Sequence, residues 1–89
     1  MRLLLIEDEH TLRQQLAKTM TEAGFIVEMA VDGEEGLYQG QEYPYDLAVV
    51  DLGLPKLSGI DVIKRWRSEG RDFPVLILND RGRWQEKVE

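Results

Sequence analysis

Three runs of four uninterrupted apolar residues constrain this chain more than any other feature: Leu3-Leu4-Leu5-Ile6, Leu47-Ala48-Val49-Val50 and Val75-Leu76-Ile77-Leu78. Short runs without polar alternation are the signature of strands covered on both faces. What separates them has a different period. Leu12, Leu16 and Met20 recur at helical spacing, and Gly24 stands where a helix ends. Phe25 to Ala30 mixes aromatic and β-branched residues and reads as a further strand. Asp32-Gly33 marks a turn, followed by a short helix from Glu34 to Gln41. Ile60, Val62, Ile63 and Trp66 predict a helix from Ile60 to Glu69, with Gly70 just beyond it. Trp84 and Val88 predict the start of one more amphipathic helix.

Strand and helix thus alternate, and the crossovers are long enough for parallel pairing. The expected fold is an α/β doubly wound parallel sheet. Of the common strand orders, the flavodoxin-like one suits so short a chain, giving 2-1-3-4 for these strands. Eighty-nine residues allow one domain. The chain is 43% hydrophobic and 31% charged, which is globular in character. It contains no cysteine, which excludes disulfides and thiolate metal sites. A net charge of −6 with scattered Lys and Arg argues against gripping nucleic acid. No apolar segment reaches membrane-spanning length, so a cytoplasmic location without membrane contact is expected. P-loop and GxGxxG patterns are absent.

In doubly wound sheets, function gathers at the carboxyl ends of strands where the strand order reverses. There the first strand runs into Glu7-Asp8, and the third ends on Asp51. Acids often end strands simply because loops are solvated, but three of them at adjacent strand ends need a further reason. Two unit charges about 6 Å apart at an effective dielectric near 20 repel by about 3 kcal/mol. Either a proton or a cation must relieve them. A hard divalent ion such as Mg²⁺, held by carboxylates, fits this donor set, and an aspartate beside it can attack phosphorus.

LLLIEDE followed by VVDLGLPKLSGIDVI resembles the two-component response-regulator receiver domain, most nearly the PhoP-like group of winged-helix transcription regulators. The resemblance covers nearly the whole chain and implies a CheY-like fold. It implies that Asp51 is the phosphoacceptor and that Glu7, Asp8, Asp51 and the backbone carbonyl of Gly53 hold Mg²⁺. Pro55 and Gly59 would shape the loop, and Ser58 would cap the next helix. The phosphodonor would be a phosphohistidine on a sensor histidine kinase. The output would be transcription, through a DNA-binding domain outside this chain.

Two departures from the family pattern stand out. At the switch positions after the fourth strand, where the family has Thr or Ser and then a small residue, this chain has Asn79 and Asp80. Asn79 can donate a hydrogen bond, but its reach differs, and Asp80 adds a negative charge near the phosphoryl site. Slower or weakly coupled phosphorylation is the expectation. Second, the family's fifth strand and helix, with their phosphate-pairing lysine and aromatic switch residue, are missing. Residues 1–89 therefore read as one receiver domain incomplete at its C-terminus. Lys56 and Lys87 read as surface lysines, His10 as a surface residue at a helix start, and Trp66 and Trp84 as packing residues. The bare edge of the fourth strand would invite self-association, as a homodimer or otherwise.

The functional expectation is a regulatory phosphoacceptor, not an enzyme with turnover. The alternative is a receiver-like interaction module that is not phosphorylated. A small phosphotransferase or hydrolase lacks a general acid/base pair in the sequence.

Overall fold

A computed structural model of the chain describes residues 1–78 and the backbone of residues 84–87. The elements follow one another as β1 (Arg2–Ile6), α1 (His10–Glu22), β2 (Ile26–Ala30), α2 (Gly33–Glu42), β3 (Leu47–Asp51), α3 (Gly59–Ser68), β4 (Val75–Leu78) and β5 (Trp84–Lys87). They form one sheet in the order β2-β1-β3-β4-β5. The pairings among β1 to β4 are all parallel, so the expected 2-1-3-4 order holds.

The uninterrupted apolar runs become strands because both faces of the sheet are covered. Leu4, Ile6, Ala48, Val50, Val75 and Ile77 face α2 and α3, in a core completed by Leu37, Val62, Ile63, Trp66 and Phe73. The alternate residues Leu3, Leu5 and Val49 face the other way, where Leu16, Ala17 and Met20 of α1 lie against them. This is the two-residue period of a strand applied to a sheet with two apolar faces. Burying a side chain of this size is worth about 2 kcal/mol relative to exposure.

Helix boundaries fall where local chemistry sets them. Ser58 caps α3, its hydroxyl accepting from the Asp61 N–H at 3.2 Å. Asp32, read as part of a turn, instead caps α2, accepting from the Glu35 N–H at 2.8 Å. Gly24 takes a φ of +103°, the left-handed conformation that lets the chain leave α1 and enter β2. Helix α2 also lies unusually close to its neighbours. A β-carbon on Gly36 would sit 2.3 Å from the Ile6 side chain, and one on Gly40 would sit 2.3 Å from the Trp66 indole. Trp66 is a packing residue, as expected: it is fully buried, donates to the Leu37 carbonyl at 3.2 Å, and meets Phe73 edge-on at 4.9 Å.

One part of the plan needs correction. Trp84–Lys87 is not the start of a helix but a strand, β5, antiparallel to β4 with Leu78 opposite Trp84. The open side of β4 offers unpaired backbone groups, which Trp84–Lys87 take up. The connection from Leu78 to Trp84 is also too short for a parallel crossover, which leaves antiparallel pairing. The β4 edge, expected to be bare and to invite self-association, is thus covered by β5. Asn79 and Asp80 lie outside the described residues, as do the side chains of Trp84 and Lys87. No described helix is long and apolar enough to cross a membrane.

Candidate functional site

The register of the sheet builds the site. Ile6 pairs with Val50, so Glu7 and Asp51 leave adjacent strands side by side. The Glu7 N–H is held by the Ala30 carbonyl of β2 at 3.1 Å, and the Leu52 N–H by the Leu78 carbonyl of β4 at 3.1 Å. Both carboxylates are thereby anchored to the centre of the sheet and buried, with Glu7 at 2% and Asp51 at 8% exposure. Asp8, on the following loop, is exposed. Oxygens of Glu7, Asp8 and Asp51 all lie within 4.8 Å of one another.

Each buried carboxylate is partly satisfied. Glu7 Oε2 accepts from the Glu9 N–H at 3.0 Å, and Asp51 Oδ1 accepts from the Gly53 N–H at 3.2 Å. Glu7 Oε1 is buried and has no hydrogen-bond partner among the described residues. Burial pushes the Glu7 carboxyl up to about 7, and the neighbouring Asp51 and Asp8 charges push in the same direction. Asp51 is raised above the usual carboxylate range for the same reason, burial first and Asp8 next, with the Gly53 N–H opposing. Burial and mutual repulsion both disfavour the charged carboxylates here, and a positive charge in the crevice would relieve them.

The loop after β3 is shaped by close contacts. The Pro55 carbonyl accepts from the Gly33 N–H at 3.2 Å and from the Leu57 N–H at 2.8 Å, tying the loop to the start of α2 and closing a tight turn around Lys56. Lys56 has a φ of +70°, and its ammonium lies 3.4 Å from Asp32. Its side chain is 61% exposed, in keeping with a surface lysine. Gly59 is required by space: a β-carbon there would meet the Asp51 carbonyl oxygen at 2.3 Å. His10 is exposed at the start of α1, as expected.

Sequence reasoning brought Glu7, Asp8 and Asp51 together and placed Pro55 in the adjoining loop and Ser58 at the cap of α3, whereas Gly59, read as a loop residue, opens that helix. It missed Arg13, which bonds the Glu7 carbonyl at 2.9 Å and the Asp8 carbonyl at 3.3 Å. An arginine one turn into a helix that follows an acid pair was the available signal, but its direction is set only by the fold.

A parallel sheet with a buried acidic crevice at its switch point defines a class of protein, and the chain belongs to it: it is a member of the response regulator receiver domain family, matched over residues 3–89. Over its full length it is 53% identical to the two-component response regulator PhoP of Pseudomonas aeruginosa. It is 44% identical to the transcriptional regulatory protein PhoP of Escherichia coli. The chain spans 40% of the length of each of these relatives. Among solved structures, the receiver domain of a Francisella response regulator superposes with a TM-score of 0.85 at 31% identity, covering 88% of this chain and 64% of that one. TrrA of Thermotoga maritima, in complex with Mg²⁺-BeF, gives 0.83 at 31% identity, covering 88% and 68%.

Proposed function

We propose that this chain is the phosphoacceptor switch of a longer PhoP-like regulator, with Asp51 taking a phosphoryl group from a phosphohistidine of a sensor histidine kinase. The observation that carries this reading is the convergence of Glu7, Asp8 and Asp51 around a buried, unpartnered Glu7 oxygen. The donor set fits Mg²⁺, a hard ion that takes one or two carboxylates, waters and phosphate oxygens. Glu7, Asp8, Asp51 and the Gly53 carbonyl would hold it. When bound, the ion supplies neutralisation of the carboxylates and of the phosphoryl oxygens. That TrrA of Thermotoga maritima has been solved with Mg²⁺-BeF supports the same use of this chain's crevice.

The remaining chemistry belongs to the chain. The Gly53 N–H occupies Asp51 Oδ1 and leaves Oδ2 as the attacking oxygen. That oxygen forms a bond to phosphorus as the phosphorus–nitrogen bond breaks, and the electron pair stays on the departing imidazole. Phosphorylation then redistributes the domain between two conformations instead of turning over a substrate. Transcriptional output through a DNA-binding domain of the longer protein, and a cytoplasmic location, go with this reading.

Incubation with acetyl phosphate and Mg²⁺, followed by intact mass, is the test. A gain of one phosphoryl group that disappears in Asp51→Ala and on chelation is expected. No gain in a folded sample would sink the reading in favour of a module that works by contact alone.

A further inference from the structure

Arg13 does something the acidic crevice needs and no carboxylate can do for itself. Its Nη1 donates to the carbonyl of Glu7 at 2.9 Å and to that of Asp8 at 3.3 Å. Its Nη2 lies 3.1 Å from His10 Nδ1, which holds the guanidinium against the first turn of α1. Among the described residues, Arg13 makes no ion pair with Glu7, Asp8 or Asp51. It therefore grips the peptide units that carry two of the three acids while leaving their carboxylates free.

We propose that Arg13 is a positioning residue, a clasp that holds Glu7 and Asp8 at cation-binding spacing against their mutual repulsion. Without a clasp, the exposed Asp8 can swing into solvent and relieve that repulsion cheaply, because only a loop links it to β1. Leu16, Ala17 and Met20 hold α1 to the sheet by partly buried contacts, and the Arg13 bonds tie its first turn to the end of β1. The inference rests on the metal-binding reading above.

The sign of one measurement separates positioning from simple charge. A cation beside the crevice repels Mg²⁺, so if Arg13 acted by charge its removal would tighten binding. If it positions the acids, its removal weakens binding. Outer residues that orient ligands typically change metal affinity about 10-fold or more when replaced. The experiment is calorimetric titration of Mg²⁺ into the 89-residue chain and into Arg13→Met, together with the Mg²⁺ dependence of phosphorylation by acetyl phosphate.

Expected is a Mg²⁺ Kd and a half-saturating Mg²⁺ concentration both raised about 10-fold, with the rate at saturating Mg²⁺ retained. Unchanged or tighter Mg²⁺ binding overturns the proposal while leaving the metal site standing. No Mg²⁺ binding by the parent chain overturns the metal-binding reading, and the clasp with it. Should Arg13→Met melt early, Arg13→Gln is judged by the same sign.

Discussion

The backbone carbonyl of Asp51 and the α-carbon of Gly59 approach so closely that a β-carbon on residue 59 would stand 2.3 Å from the Asp51 oxygen. The start of α3 is thus pressed against the residue that ends β3, and Val50 Cγ1, 2.9 Å from the same position, closes the other side. Neither neighbour can give way without moving Asp51. Gly59→Ala is expected to cost about 1–3 kcal/mol of stability, the usual range for overpacking, and to lower phosphorylation of Asp51 in the fraction that folds. Denaturant melts and intact mass on the same sample check both halves; a variant as stable and as reactive as the parent would show that the approach is loose.

Glu7 makes the fold sensitive to pH in a definite direction. Its carboxyl is raised from 4.5 to about 7, so the folded chain holds a proton that the unfolded chain has lost across that window. Stability from this group is complete at the acid end and is lost as pH rises toward 7. Glu7→Gln removes this group's part of the dependence. Without Mg²⁺, the variant is expected to melt above the parent at pH 8 and level with it near pH 5. Added Mg²⁺ should raise the melting temperature of the parent and leave that of the variant nearly unmoved. Equal melting curves for the two proteins at pH 8 would contradict the assignment of Glu7 as a strained buried acid.

At Gly40 two effects oppose each other. Replacing a glycine in the last turn of a helix by alanine gains at most about 1 kcal/mol of helix propensity. The new methyl, however, meets the Trp66 indole at 2.3 Å. That ring is fully buried, hydrogen-bonded to Leu37 and edge-on to Phe73, so it has nowhere to go. Overpacking costs about 1–3 kcal/mol and wins. Gly40→Ala should unfold at lower denaturant than the parent; a rise in midpoint would mean that α2 can shift away from α3.

Tyr45 anchors the far end of the sheet. Its hydroxyl donates to Glu28 at 2.5 Å, and the same carboxylate pairs with Arg2 at 2.6 Å. Burial, together with that carboxylate, raises the phenol above its ordinary range. Tyr45→Phe keeps the ring packed on Phe73 and removes the hydroxyl's contacts with Glu28 and Gln39. The expected loss is about 1 kcal/mol, since Glu28 and Arg2 are each more than a third exposed. Chemical denaturation reads it, and phosphorylation of Asp51, at the opposite ends of the strands, should be unchanged.

The strands and the acids at their ends were legible along the chain, and the 2-1-3-4 order followed from choosing the flavodoxin-like pattern that suits so short a chain. Leu3 to Ile6, Leu47 to Val50 and Val75 to Leu78 carry the signature of strands buried on both faces, and a sheet so covered puts Glu7, Asp8 and Asp51 at one crevice. Capping was equally local: Ser58 and Gly24 act through their own backbone neighbours, within reach of a sequence argument. The fate of Trp84–Lys87 rests on contacts in space: its spacing suggested a helix, but it pairs with the open side of β4. Tertiary contacts likewise revealed why Gly36, Gly40 and Gly59 have no side chain, since each answers to a residue distant in sequence or held by the sheet. The direction of Arg13 belongs here too. A guanidinium can reach solvent, a carboxylate or a carbonyl with equal chemical sense, and it is the packing of α1 beside β1 that turns it onto the peptides of Glu7 and Asp8. Period and capping depend on neighbours along the chain; close approach and side-chain direction depend on neighbours in space.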